Sequence, residues 1–177
     1  MKLLVVDSEA CNVFRLYYLG GDDMHIRKLA ADELEILTEL FDYKDIDNML
    51  LENRRKINSG EIDIFCLFND SRLIGELRVK YTNNDSLFAV KGKRAYLYAF
   101  RIHNDFQGMG LGKQLLENVI LMLKNQGYTE FTVGVEDNNE CAKHIYNKFG
   151  FNKLLTRRKE EYQGDVFEYN LYLKHNN

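Results

Sequence analysis

Gly108, Gly110 and Gly112 stand at alternate positions of 107-QGMGLGKQ-114 and run directly into the apolar pattern of a helix. A turn with so little side-chain bulk lets several backbone N–H groups converge on one point, and at a helix start those amides lack an intrahelical acceptor. With the helix dipole they form a seat for phosphate. Two familiar nucleotide loops are excluded by single residues. The dinucleotide fingerprint G-x-G-x-x-G fits Gly108 and Gly110, but Lys113 occupies the place of its third glycine. The phosphate loop G-x-x-x-x-G-K-[ST] finds Gly112-Lys113, but Gln107 stands at its first glycine and Gln114 at its hydroxyl. An anion cradle of another kind and a tight turn without a ligand both remain.

A second constellation lies in 135-VEDNNECAKHIYNKFGF-151, where Asn139, Ala142, Tyr146, Lys148, Gly150 and Phe151 follow a strand pattern at fixed offsets. Through both stretches the chain resembles the GNAT family of N-acetyltransferases. Gln107, Gly110 and Gly112 fill that family's loop, Q/R-x-x-G-x-G/A, and the six later residues fill N-x-x-A-x-x-x-Y-x-K-x-G-F without a gap. The likeness runs from Met24 to Lys174. It implies direct transfer of an acetyl group from acetyl-CoA to an amine, without a covalent enzyme intermediate or a metal. It further implies that the amides of Gly108, Met109, Gly110, Leu111, Gly112 and Lys113 hold the pyrophosphate, with Gln107 opening the loop. The backbone of Phe100 and Ile102 pairs with the pantetheine arm, and one N–H there stabilises the tetrahedral oxyanion. Asn139 holds the pantetheine, and Tyr146 is the general acid for the departing thiolate. Homodimers are common in such proteins.

Each assignment has a plainer counterpart. Tyr146 shares a helical stripe with Ala142, Ile145 and Phe149, which also suits a core tyrosine. No carboxylate occupies residues 94–102, and Tyr96 stands where some members carry a catalytic glutamate. Glu76 and Glu136 are substitutes, or solvated charges. Met109 replaces a commonly basic residue, so cations near the phosphates are limited to Lys113 and Lys143. His103 ends the strand beside the expected thioester, while His144 falls on the solvated side of its helix. Asp42, Asp45, Asp47, Glu160, Glu161 and Asp165 suit a small cationic acceptor such as a polyamine or aminoglycoside. A peptide or protein amine is the alternative acceptor, and a non-catalytic acyl-CoA sensor the alternative function.

The elements that must position these residues follow from periodicity. Residues 25–29 read as a short strand, and Asp32 as the cap of a helix carrying Leu34, Leu37, Leu40 and Phe41. A second helix covers 46–57 and ends at Ser59-Gly60. Strands at 62–68 and 73–81 turn at Asn69-Asp70, and a strand rich in aromatics spans 95–102. Leu111, Leu115, Val119, Ile120 and Leu123 form one apolar helix face that Gly127 ends. A strand at 131–135, a helix at 139–149 and strands at 151–162 and 166–174 follow, the last two turning at Gly164-Asp165. The strand–helix–strand passage from 95 to 135 predicts a parallel pair. The fold class is α/β (α+β), a mixed central sheet flanked by helices on both faces, as the resemblance also implies.

Composition is consistent with one cytoplasmic domain. The 177 residues are 45% hydrophobic and 29% charged, with a net charge of −3, which offers no basic footprint for nucleic acid or an anionic membrane. Cys11, Cys66 and Cys141 are odd in number and lack metal-ligand spacing, so Cys66 and Cys141 read as reduced core or near-core thiols. The stretch Gly20-Gly21-Asp22 can be encoded by a purine-rich ribosome-binding sequence ahead of Met24. On that reading residues 1–23 are a translated leader and 24–177 the domain. The other reading makes residues 1–23 a genuine N-terminal strand and turn.

Overall fold

The computed structural model describes residues 5–8, 13–17, 23–40, 43–162 and 165–175. The chain divides into two compact units, residues 1–79 with 99–121 and residues 80–98 with 122–177.

In the first unit the strand order is β1-β2-β3-β4-β5-β6, built from β1 (Val5–Ser8), β2 (Val13–Tyr17), β3 (Asp23–Lys28), β4 (Ile62–Asn69), β5 (Arg72–Lys80) and the C-terminal part of β6 (Arg94–Ile102). β1, β2, β3 and β4 pair antiparallel in succession. β4 is buried from Ile62 to Phe68 without alternation, the pattern of a strand covered on both faces. Its turn to β5 begins one residue later than the spacing suggests, with Asp70 at φ 51°.

The helix expected from Asp32 is a 3-10 helix, Leu34–Glu39, and Asp32 does not cap it. Glu33 decides the geometry. Its carboxylate accepts from the Ala30 amide at 2.9 Å and from both Arg27 terminal nitrogens at 2.8 Å, closing a turn that places Asp32 outside. A 3-10 helix has three residues per turn, so Leu34, Leu37 and Leu40 fall on one edge. All three are buried, against Leu29, Ile62, Ile64, Cys66 and Phe68. Phe41 lies outside the described residues. The next helix, α1 (Ile46–Asn58), is capped by Asp45, which accepts from the Asn48 amide at 3.2 Å, and closes at Gly60, φ 68°.

In the second unit the order is β6-β7-β9-β8, with β7 (Glu130–Glu136), β8 (Lys153–Tyr162) and β9 (Asp165–His175). β6 and β7 are parallel over four pairs, from Arg94↔Glu130 to Leu97↔Val133, as the crossover predicts. β7 then pairs antiparallel with β9 along its whole length. Of the turn expected at Gly164-Asp165, Gly164 lies outside the described residues and Asp165 opens β9. Between β6 and β7 the chain forms α2 (Leu111–Asn125), which contributes to both units, and its five expected apolar residues are all buried. After β7 comes α3 (Glu140–Lys148).

Two expectations for α3 are corrected. Ile145 is 37% exposed and Cys141 is exposed, whereas Tyr146 is buried. The helix is only nine residues long and buries a narrow stripe, so residues a third of a turn away emerge into solvent. Cys66 is buried as expected, and burial pushes its thiol far above its ordinary range. Cys11 lies outside the described residues.

Glu130 anchors the start of β7. Arg94 reaches it at 2.6 and 2.7 Å and Lys93 at 3.3 Å. Burial alone would raise this carboxyl, but the bonds from Arg94 and Lys93 outweigh it and hold the group below its ordinary value. A lowered folded pKa means the pair stabilises the fold above the ordinary carboxylate value and loses that contribution as pH falls through the folded one. Glu130→Gln is therefore expected to cost about 2 kcal/mol at neutral pH and to show a flatter loss of stability on acidification. Urea unfolding at several pH values measures both.

Candidate active site

The glycine loop leaves the end of β6 in the first unit. The His103 amide still donates to Ile74 at 2.8 Å, and a short 3-10 turn, Asn104–Phe106, follows. Gln107 folds back and donates through Nε2 to the Ile102 carbonyl and to Asn104 Oδ1, both at 3.0 Å, tying the loop to the strand end. Gly108 and Gly110 have φ of 78° and 79°, and a Cβ on either would meet nothing within 4 Å. These two glycines are needed for backbone conformation.

Gly112 is needed for space. A Cβ there would lie 3.1 Å from the Phe100 ring and 3.3 Å from Ile102 Cγ1. Phe100 and Ile102 thus carry the first turn of α2 on their side chains. The Gln114 amide donates to the Gly110 carbonyl at 3.2 Å, so the helix is under way at Gly110. The amides of Leu111, Gly112 and Lys113 fall in the turn where a helix supplies no acceptor. Met109 is 51% exposed above them, and Lys113 lies 3.7 Å from Glu117.

Within β6, Ala99 adopts φ 48°, in the left-handed region that alanine rarely enters. The kink comes two residues after the last β6–β7 pair, Leu97↔Val133. Phe100 and Ile102 lie beyond it. Alanine in an apolar strand gives no hint of such a kink, which is why the sequence reading passes over it.

In the second unit Asn139 caps α3, its Oδ1 accepting from the Ala142 amide at 2.9 Å. Tyr146 packs edge-on against Phe151, centroids 5.5 Å apart, and borders a pocket of about 390 Å³ together with His144, Asn147, Asn152 and Tyr172. Burial, and after it the Tyr96 phenol, push Tyr146 well above the ordinary phenol range. It stays protonated at any physiological pH and can donate, but cannot act as a base. Lys143 is held by Glu140 and the Asp137 carbonyl, each at 2.6 Å.

The candidate bases separate clearly. Glu76 is fully buried on β5, 2.9 Å from Arg78 and 3.6 Å from Arg101, and it accepts from the Tyr43 hydroxyl at 3.4 Å. Glu136 is exposed at the end of β7. The His103 ring sits among Arg72, Asp105 and Phe106, with Arg72 at 3.3 Å. Among the described residues, no group of three or more His, Cys, Asp or Glu is placed to hold a metal.

The model of the Acetyltransferase (GNAT) family matches residues 26–151, which include β6, the glycine loop, α2 and α3. The chain belongs to the GNAT acetyltransferase family. Solved acetyltransferase structures share its fold: a probable acetyltransferase from Staphylococcus epidermidis, at 22% identity, covers 87% of this chain and 99% of its own, with a TM-score of 0.69. The ribosomal-protein-S18-alanine N-acetyltransferase from Escherichia coli, at 19% identity, covers 86% and 94%, with a TM-score of 0.64. In sequence, the chain is 33% identical over 87 residues to the [Ribosomal protein bS18]-alanine N-acetyltransferase of Salmonella typhimurium, 46% of this chain. That match spans 59% of the relative's length. Among the described residues of this GNAT chain, no helix is long and apolar enough to cross a membrane.

Proposed function

We propose that this GNAT chain transfers the acetyl group of acetyl-CoA directly to an amine, and that the acceptor is the α-amine of a peptide or protein. The observation that carries the reading is the passage from β6 through the glycine loop into α2. Two glycines there have left-handed backbones, and a third is packed against Phe100 and Ile102. The amides of residues 108–113 hold the pyrophosphate at the start of α2. The backbone of Phe100 and Ile102, beyond the Ala99 kink, pairs with the pantetheine and directs an N–H at the thioester carbonyl. Asn139 uses its oxygen as the cap of α3 and keeps its side-chain nitrogen for the pantetheine. Tyr146 donates to the sulfur as the C–S bond breaks. Bound acetyl-CoA supplies the activated acyl group. The reaction takes place in the cytoplasm.

What supports a peptide acceptor is the alanine N-acetyltransferase relative, whose match covers part of its length. Two of the acidic residues read as a draw for a small cationic amine have local partners, and a third, Asp42, lies outside the described residues. Asp45 caps α1, and Glu160 accepts a hydrogen bond from Tyr169.

Free-thiol release from acetyl-CoA, followed against peptides beginning with alanine or serine, polyamines and aminoglycosides, tests the reading. Release with the peptides is expected. Release with polyamines alone moves the acceptor to the small cationic class. Binding of CoA with no release on the whole panel overturns the enzyme and leaves a non-catalytic acyl-CoA sensor.

A further inference from the structure

β6 brings no carboxylate to the reaction, since residues 94–102 contain neither aspartate nor glutamate. An amine that attacks a thioester must nonetheless lose a proton. One face of the second unit gathers groups suited to take it. Tyr96 is in register with Thr132, and Tyr169 with both Glu136 and Arg158. Alternate residues share a face, so Tyr96, Gly134, Tyr169 and Glu160 project to the same side. Gly134 has no side chain, and its place is filled from both directions. A Cβ there would meet the Tyr169 ring at 3.0 and 3.2 Å and the Tyr96 hydroxyl at 3.1 Å. Tyr98 stacks on Tyr96 at 5.6 Å, and Phe88 meets both Tyr96 and Tyr169 edge-on. Tyr169 donates its hydroxyl proton to the exposed carboxylate of Glu160, while the guanidinium of Arg158 is paired with Asp85.

A phenol has one proton and two acceptor positions. With its proton directed at Glu160, the Tyr169 oxygen presents lone pairs to an incoming N–H. We propose that Glu160, acting through the Tyr169 hydroxyl, takes the proton that the acceptor amine gives up, replacing the carboxylate that β6 lacks. The inference rests on the acetyl-transfer reading above. The amine lone pair forms the C–N bond and the carbonyl π pair moves to oxygen, leaving the nitrogen positively charged. That nitrogen passes a proton to the Tyr169 oxygen as the Tyr169 proton moves to Glu160. The oxyanion pair then re-forms the C=O bond as the C–S bond breaks, the thiolate leaving with the Tyr146 hydrogen bond and taking its proton from solvent, and Glu160 returns one to water. Burial and the Glu160 bond hold the Tyr169 phenol well above its ordinary value, consistent with a relay and against a free phenolate base. Tyr169 is the catalytic residue of this pair, and Glu160 positions it and receives the proton.

The test uses the full chain with acetyl-CoA and two probe amines, an alanine-initiated hexapeptide and spermidine. With the probe that wild type acetylates, Tyr169→Phe and Glu160→Gln are expected to lower kcat by about 10²-fold, with the KM for acetyl-CoA and the melting temperature nearly unchanged. Glu160→Asp should restore part of the loss, which a merely structural contact would not require. If wild type turns over and both variants keep kcat within about threefold, the relay is overturned and the acetyl-transfer reading stands. If wild type releases no thiol with either amine, both fall together.

Discussion

Tyr146→Phe is expected to lower kcat for thiol release by about 10² to 10³-fold while leaving the KM for acetyl-CoA nearly unchanged. The phenol reference lies near ~10 and a thiol near ~8.5, and burial lifts Tyr146 further. Complete transfer of its proton to the thiolate is therefore uphill. Tyr146 contributes a hydrogen bond that strengthens as charge gathers on sulfur, an interaction made mainly in the transition state, so its loss appears in kcat. Because its folded pKa is raised, wild type should show no loss of rate from Tyr146 ionisation up to about pH 10. A kcat within twofold of wild type would make Tyr146 a core residue, packed edge-on against Phe151.

Glu76→Ala is expected to destabilise the first unit by about 3–5 kcal/mol, read as a shift of the urea midpoint. Glu76 is fully buried, and the Arg78 side chain is 8% exposed and bonded through Nε at 2.9 Å. Arg78 also donates to the Tyr43 hydroxyl at 3.0 Å and to Asn53 of α1 at 3.5 Å. Removing the carboxylate strips the Nε partner from a guanidinium that is itself nearly buried, where a lost hydrogen bond is costly. Glu76→Gln should cost less, because the amide oxygen still accepts from Arg78. Turnover per folded molecule should survive Glu76→Gln, since Glu76 is fully buried and its carboxylate is already engaged by Arg78, Arg101 and the Tyr43 hydroxyl. A Glu76→Gln protein with native stability and no activity would return Glu76 to the catalytic role.

The two motifs were legible because they are local. An anion seat at a helix start needs a run of glycines and an apolar stripe beyond it, both written within 18 residues at 103–120. The cap at Asn139 and the tyrosine two turns later are spaced by helix geometry alone. Where local reading failed, a neighbouring side chain had intervened. Glu33 drew the chain back onto Arg27 and Ala30, and a predicted α-helix became a 3-10 turn. Cys141 and Ile145 were misplaced because spacing says which residues share a stripe, but not how wide a stripe the neighbours cover.

From sequence alone came the family resemblance, the parallel β6–β7 pair, the buried face of α2, and the residues proposed to hold acetyl-CoA. The first and last rest on the resemblance carried by the motifs at 107–112 and 139–151, the other two on the pattern of apolar residues along the chain. Only the tertiary structure decided that Ala99 kinks β6, that Glu76 is enclosed by arginines, and that Tyr169 covers Gly134 with its hydroxyl on Glu160. The longer of those pairings join residues 9 to 35 apart along the chain, such as Glu160 with Tyr169 and Gly134 with Tyr169. They are set by strand register, where a slip of one residue turns every side chain to the opposite face.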